Sequence, residues 1–431
     1  MTPLRPEMAV SVALRRFPYP FRAGLAICND ADLMTEESFR FVHRFLNTTR
    51  DTPIGPGLGL PISDSFFLFS SPDNPNRFTF FEDLSDKPSP RVGLLKDCAA
   101  AGLIDTLHTY GAFSSANDFS RDLARRGIEA LEKADMRIRV WVNHGPPENV
   151  QCFGQLAAPH FHGDDPESKF HHTDLTLDYG IQYCWTGQEL GEAIAYDAQG
   201  TLRSLWDRRA LLLPAVRRGR SLLRKPRLLK PMRLRDTRRV LRFERYWGTA
   251  GQTPTVEDIT KQLSARRLAM LKRSGGYSIV YQHFAVRRKA PGFGVNSYVA
   301  NVAPYFRPGE REAFTSLASE YHSGNVWVTF TQRLLQYNRM YRWLRWSAEH
   351  IGNRIRINLL GLEVPGMGHS EVDRGEIGDL TFYSSRPEET EVYLRNGADM
   401  TLVRDIVRNP KDHTGRESVT LRGASPEMPD L

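Results

Sequence analysis

No run of about 18 apolar residues occurs anywhere in the chain, so nothing in it reads as a membrane-spanning helix. Cysteine is scarce. Cys28, Cys98, Cys152 and Cys184 show none of the close pairings that hold a structural metal. Cys28 and Cys184 lie inside apolar, strand-like runs and read as buried thiols. That usage suits a reducing compartment, although four cysteines leave two disulfides open, and the expected location is the cytoplasm. The first twenty residues lack the apolar centre and small-residue cleavage site of a secretory signal. There is no internal repeat. The Gly-x-Gly within DTPIGPGLGLPI (51–62) sits in a loop rather than between a strand and a helix, so it carries no useful dinucleotide signal.

What is present is an ordinary globular composition, 40% apolar and 25% charged over 431 residues. That length suits one large barrel with an appendage, or two to three domains. The net charge of +8 is local. Between Arg203 and Arg245 sixteen Lys and Arg face three acids, a local +13, which leaves the rest of the chain at 8 − 13 = −5. The high pI therefore belongs to one segment.

The stretch that organises the chain is Arg22 to Asp32, RAGLAICNDAD. It reads as a buried strand that ends on two carboxylates, Asp30 and Asp32. Three other apolar runs end on histidine: LIDTLH at His108, RIRVWVNH at His144 and YSIVYQH at His283. Parallel α/β sheets and barrels build sites from the C-terminal ends of their strands. Four such tips point to one metal-centred or acid/base site at a common rim.

Between these runs lie helical patterns. Thr35 caps a helix carrying Phe39, Val42 and Leu46 on one face. Phe119 to Lys133 is amphipathic, Val256 to Arg273 is helical behind Thr255, and Glu310 to Tyr321 and Phe330 to Trp346 flank a strand at Val326 to Thr329. Asp64 to Phe69 and Gly180 to Trp185 read as strands. This alternation predicts an α/β fold, a mainly parallel sheet or barrel covered by helices. After about residue 352 short strands separated by Gly, Pro and Asn turns predict a small β-rich appendage. The acidic end after Gly423 reads as frayed.

One carboxylate with two histidines suits zinc, with iron, cobalt or nickel as other choices for the same ligands. Such a metal polarises a carbonyl and lowers the pKa of bound water to about 7. A nearby carboxylate takes the water proton and a histidine protonates the leaving group. Asn29 or Asn143 would supply acceptors behind the ligands. The polar loop 145–173 adds His160, His162, Asp164 and Asp165 as substrate-facing candidates, with Trp185 beside them. His43, His322 and His350 read as packing or surface residues.

The order NDAD (29–32), LHTYGA (107–112), YSIVYQHF (277–284) and GNVWVTFTQRLLQYNRMYRW (324–343) resembles the polysaccharide deacetylase (NodB-homology) superfamily over about residues 20–350, outside the basic segment. The resemblance implies a distorted (β/α) barrel and a metal-dependent hydrolase that removes acetyl groups from sugars. It places Asp30 and His108 on the metal and matches His283 loosely to the family's late histidine; His144 then completes the ligands, with Asp32 as base and His283 as acid or oxyanion partner. Two departures stand out. The family's base position falls on Asn29, and the second histidine of its His-x-x-x-His falls on Ala112, for which His144 is the replacement. A catalytically inactive, glycan-binding relative is the alternative reading.

On this basis residues 1–351 are expected to form the barrel, interrupted by a basic insertion at about 203–245, with 352–431 as the appendage and tail. The expected substrate is a glycan or glycolipid intermediate of surface-polysaccharide synthesis. Arg208–Arg242 alternates Leu with Arg, is broken by Pro214, Pro226 and Pro231, and is poor in aromatics. It reads first as a surface for anionic membrane at the inner face, then as a protein-facing arm, and last as a nucleic-acid contact.

Overall fold

A computed structural model describes residues 12–71, 78–154, 158–186, 190–191, 195–198, 226–248, 253–289, 298–303, 305–423 and 427–431. The chain divides into two compact units, Ala23–Leu335 with Pro426–Leu431, and Met1–Arg22 with Gln336–Ser425. The fold is mixed α/β, with a large, mostly parallel central sheet and eight α-helices among the described residues. None of those helices is long and apolar enough to cross a membrane.

The central sheet contains β1 (Ala23–Asp30), β2 (Ser63–Phe66), β3 (Ile104–Leu107), β4 (Val140–Val142), β5 (Tyr183–Trp185), β6 (Leu190–Gly191), β7 (Leu229–Arg233), β8 (Arg239–Phe243), β9 (Arg245–Tyr246), β10 (Tyr277–Gln282) and β11 (Val326–Val328). Their order is β6-β9-β10-β1-β2-β3-β4-β5-β8-β7, and β11 also pairs with β1. Among the described pairings of this sheet only β7 with β8 is antiparallel. β1 is an interior strand, fourth on this path. β10 matches it from Gly24 to Asn29, while its other edge is shared by β11 opposite Ala23–Leu25 and β2 opposite Cys28–Asp30. All eight residues of β1 are buried. Covered faces explain why AGLAICND reads as a near-continuous apolar run rather than an alternating one.

Helix α1 (Glu36–Asn47) follows β1. Thr35 caps it, accepting from Ser38 N while the Ser38 hydroxyl accepts from Thr35 N. It buries Phe39, Val42, Phe45 and Leu46. Helix α2 (Val92–Ala100) leads into β3, and Gly102 at φ +82° makes the left-handed turn between them. Helix α3 (Arg121–Lys133), capped by Ser120, buries Leu123, Ile128 and Leu131 before β4. The short helix α4 (Thr173–Tyr179) leads into β5.

Several elements differ from the sequence reading. The helix expected over Val256–Arg273 is broken. A 3₁₀ turn (Val256–Asp258) and the short α5 (Ile259–Gln262) precede α6 (Ala265–Ser274), because Ser264 takes an extended ψ of 146°. Helix α7 (Pro308–His322) matches expectation. Helix α8 (Thr331–Trp343) stops three residues early, where Leu344–Ile351 turns to strand and pairs with Arg354–Val364. The strand expected over Asp64–Phe69 splits, and Phe69–Ser70 pairs instead with Gly111–Ala112.

The basic segment is the larger difference. Its C-terminal half is not an insertion. Leu229–Phe243 supplies β7 and β8, which extend the main sheet beyond β5, and Arg245 opens β9 next to β10. The apolar residues of LLKPMRL and RVLRF, Leu229, Leu234, Val240, Leu241 and Phe243, are buried while most of the arginines stay at the surface. The stretch 208–225, which carries most of the membrane reading, lies outside the described residues. The C-terminal residues are not frayed either. Leu431 is 2% exposed, and its carbonyl accepts from Arg44 Nε at 2.9 Å.

The other unit contains two sheets. One pairs Leu344–Ile351, Arg354–Val364, Thr390–Asn396 and Asp399–Val403, with Gly368–Ser370 on the edge of the second strand. It buries Ile355, Ile357, Leu359 and Val392 on one face. The other sheet runs Ala13–Leu14, Thr381–Tyr383, Ser418–Leu421, Ile406–Asn409, all antiparallel. A buried ion pair, Arg15 to Asp412 at 2.7 Å, ties the N-terminal strand region to the last hairpin.

Candidate metal centre

Because β1, β3, β4 and β10 run parallel, they deliver their C-terminal ends to one edge of the sheet. Asp30 closes β1 and Asp32 follows it. His108, His144 and His283 sit one or two residues beyond β3, β4 and β10. All five side chains meet. His108 Nδ1 lies 2.6 Å from Asp32 Oδ1, His144 Nε2 3.5 Å from Asp32 Oδ2, and His283 Nε2 3.8 Å from Asp32 Oδ2. Two groups of potential ligand atoms result, each within 4.8 Å: Asp32 with His108 and His144, and Asp30 with Asp32 and His283. The carboxylate gathered with the two strand-tip histidines is thus Asp32, not Asp30.

Asp30 is occupied elsewhere. Its Oδ1 accepts from Arg245 Nη1 at 2.7 Å and from the Ser65 hydroxyl at 3.1 Å. Both side chains of the Asp30–Arg245 pair have no solvent exposure. The Arg245 guanidinium carbon lies 3.7 Å from the ring centres of both Trp185 and Tyr281, two rings that stand 5.6 Å apart and tilted by 47°, so the cation makes a close cation–π contact with each. Burial pushes the Asp30 carboxyl up, but Arg245 and His108 outweigh it and hold the pKa below the ordinary value. Asp32 follows the same pattern more strongly. Burial raises it, while His108, His144 and His283 hold it well below the usual range.

Several polar atoms here are buried without an aligned hydrogen-bond partner: Asp30 Oδ2, Asp32 Oδ1, His108 Nδ1 and His144 Nδ1. The 2.6 Å approach of Asp32 to His108 is therefore close but badly angled for a hydrogen bond. Lone pairs brought together in that way fit a shared cation better than each other. The donors, one carboxylate and two imidazoles, match a divalent transition metal.

The surroundings hold the histidines in place. Phe67 stacks on His108 with ring centres 4.7 Å apart, and His108 meets His144 edge-on at 5.0 Å. Thr109, next to His108, takes φ +57°, a strained conformation for a β-branched residue. It turns the chain so that Tyr110 N reaches Gln151 Oε1. His283 Nδ1 donates to Pro254 O at 2.9 Å, which leaves Nε2 facing the site. Burial lowers the His283 pKa, but the Asp32 and Asp30 carboxylates more than offset this and the net shift is upward.

Asn29 and Asn143 do not back the ligands. Asn29 Oδ1 accepts from Phe284 N at 2.7 Å, and Asn143 spans from Trp141 Nε1 to Phe153 O. Ala112 is buried in the short strand beside Phe69–Ser70 and offers no ligand. Among the substrate-facing candidates, Asp164 is 2% exposed and tied to the Arg235 guanidinium, with Asp165 beside it. His160 and His162 belong to neither ligand group among the described residues. Trp185, 6% exposed, is a wall of the Arg245 slot. His43 is a core residue, 3.0 Å from the buried Asp64.

The sequence does not single out Arg245 or Tyr281. Arg245 closes a segment that reads first as a membrane-facing insertion, and its only signal is an aromatic setting, FERYWG. Tyr281 looks like one more apolar position in YSIVYQH. No family model, curated protein or solved structure matches the chain.

Proposed function

We propose that this protein is a metal-dependent hydrolase of the polysaccharide deacetylase kind, built on a distorted (β/α) barrel and removing acetyl groups from an amino sugar or glycolipid. The observation that carries the reading is Asp32 facing His108 and His144, with buried ligand atoms that satisfy nothing else. These three residues would hold the metal. A divalent cation such as zinc, iron, cobalt or nickel supplies a Lewis acid for a carbonyl oxygen and lowers the pKa of bound water to about 7.

The chain's own groups divide the remaining work. Asp30 takes the proton of the attacking water. Arg245 and Ser65 fix its Oδ1 and Arg245 keeps it ionised, while Oδ2 faces the site 3.8 Å from His108 Nε2, with the Tyr281 hydroxyl beside the carboxylate. The water oxygen bonds to the carbonyl carbon, and the carbonyl π pair moves onto oxygen. When that pair returns, the bond to the sugar nitrogen or oxygen breaks, and its electrons take the proton from His283 Nε2. Relative to the sequence reading, Asp30 and Asp32 exchange roles and His283 keeps its own.

Elemental analysis of the protein without a metal-binding tag, beside His108→Ala, tests the reading. About one metal per chain in the wild type and none in the variant is expected. Equal metal in both would sink it. A non-catalytic glycan-binding role is favoured by Asn29 and Ala112 at two positions where the resembled family carries functional residues. It predicts metal-loaded protein that binds N-acetylglucosamine oligomers and releases no acetate. The lipid reading of Arg208–Arg242 predicts cosedimentation with phosphatidylserine vesicles but not with phosphatidylcholine vesicles.

A further inference from the structure

Tyr281 is the second-last residue of β10, 7% exposed, at the point where the strand enters the site. Its ring cannot swing. One face lies 3.7 Å from the Arg245 guanidinium, and the rings of Trp247 and Trp185 stand 5.3 and 5.6 Å away. Its hydroxyl reaches 3.4 Å from His283 Nε2, the long end of hydrogen bonding, and is within hydrogen-bonding reach of the Asp30 carboxylate. It therefore borders the same space as Asp30, Asp32 and the His283 imidazole. Packing explains the ring but not the oxygen. A phenylalanine would stack on Arg245 equally well, whereas the hydroxyl's neighbours, Asp30 and His283, are the base and acid of the proposed reaction, so the oxygen faces the reacting groups rather than the packing.

We propose that the Tyr281 hydroxyl is a further catalytic residue, which donates a hydrogen bond to the oxyanion formed when water adds to the substrate carbonyl. The inference rests on the hydrolase reading above. Burial, then the nearby Asp30 charge, push its pKa well up, so the group stays an O–H donor. No proton leaves Tyr281. As the carbon–oxygen bond to water forms, the carbonyl π pair becomes a lone pair that accepts from this hydroxyl. As the bond to the leaving group breaks, that pair reforms the carbonyl and the hydrogen bond weakens. Because the ring is fixed in advance, the donor needs no rearrangement during reaction, the condition under which such donors count most.

The test is Tyr281→Phe, loaded with zinc, with three readouts: zinc content, calorimetric binding of methylphosphonate as a tetrahedral anion, and kcat on p-nitrophenyl acetate. The expected result is unchanged zinc content and KM, methylphosphonate binding weaker by about tenfold or more, and kcat lower by about 10²- to 10³-fold. Methylphosphonate affinity and kcat both within twofold of wild type overturn the inference while leaving the metal site intact. Zinc-loaded wild type that binds no methylphosphonate overturns it as well. A wild type that holds no metal overturns the hydrolase reading, and this inference with it.

Discussion

Arg245→Met is the sharpest perturbation of the site. It removes a guanidinium with no solvent exposure, 2.7 Å from an equally buried carboxylate, and leaves an apolar chain of similar length against Trp185 and Tyr281. Breaking a buried pair from one side costs about 3–5 kcal/mol, because the remaining charge is stranded. Each 1.4 kcal/mol is a factor of ten, so amide exchange in peptides covering β1 and β10 should accelerate about 10²- to 4 × 10³-fold under native conditions. The defect should also depend on pH. In the wild type the Asp30 pKa is held below its ordinary value, so its contribution is present at neutral pH and lost only as pH falls through that lowered value. Without Arg245, burial dominates and raises the pKa. The folded state then keeps a proton that the unfolded state releases, and stability falls by about 1.4 kcal/mol per pH unit across that window. Exchange in the variant should therefore be faster relative to wild type at pH 8 than at pH 5, after correction for intrinsic rates. Arg245→Met/Asp30→Asn should recover most of the loss. Exchange within threefold of wild type, or a double variant no better than the single, would refute the stranded-charge argument.

The two carboxylates should separate in metal content. Asp32→Asn should lose the metal, while Asp30→Asn should keep it and lose at least 10²-fold in kcat on p-nitrophenyl acetate. Asp105 is 5% exposed, and burial raises its pKa to about 6. The folded state thus binds more protons than the unfolded chain, and stability should fall by about 3 kcal/mol between pH 3.8 and about 6. Asp105→Asn, which still accepts from Gln332 N, should abolish that fall in urea unfolding curves. His172 is the opposite case. Burial lowers its pKa to about 4, while its Nε2 donates to Gln151 O. Its contribution is present above pH 6.5 and lost as pH falls to about 4, and His172→Gln should flatten that dependence in the same measurement.

The strand tips were legible because burial on both faces of a parallel sheet leaves a continuous apolar run, and a polar residue at its end stands out. Ala23–Asp30, Ile104–Leu107, Val140–Val142 and Tyr277–Gln282 all carry that mark. Helix caps were equally visible, since Thr35 and Ser38 make their bonds within four residues. The breaks at Ser264 and Trp343 were not, because apolar spacing continues through both. Nor was the place of Leu229–Phe243 in the sheet. Its arginine density reads as a membrane-facing insertion, yet Leu229, Val240, Leu241 and Phe243 turn inward and leave most of the charges at the surface.

By itself the sequence determined the buried parallel strands around the site and most of the helices, and that acids and histidines end those strands, since both follow from local periodicity. Only the tertiary structure decided which carboxylate joins which partners. Asp30 and Asp32 are two residues apart and chemically identical in the sequence. They differ because Arg245, 215 residues downstream, arrives on β9 and claims one of them. That choice is made by distance and desolvation, which depend on chain segments far apart, and no local pattern encodes it.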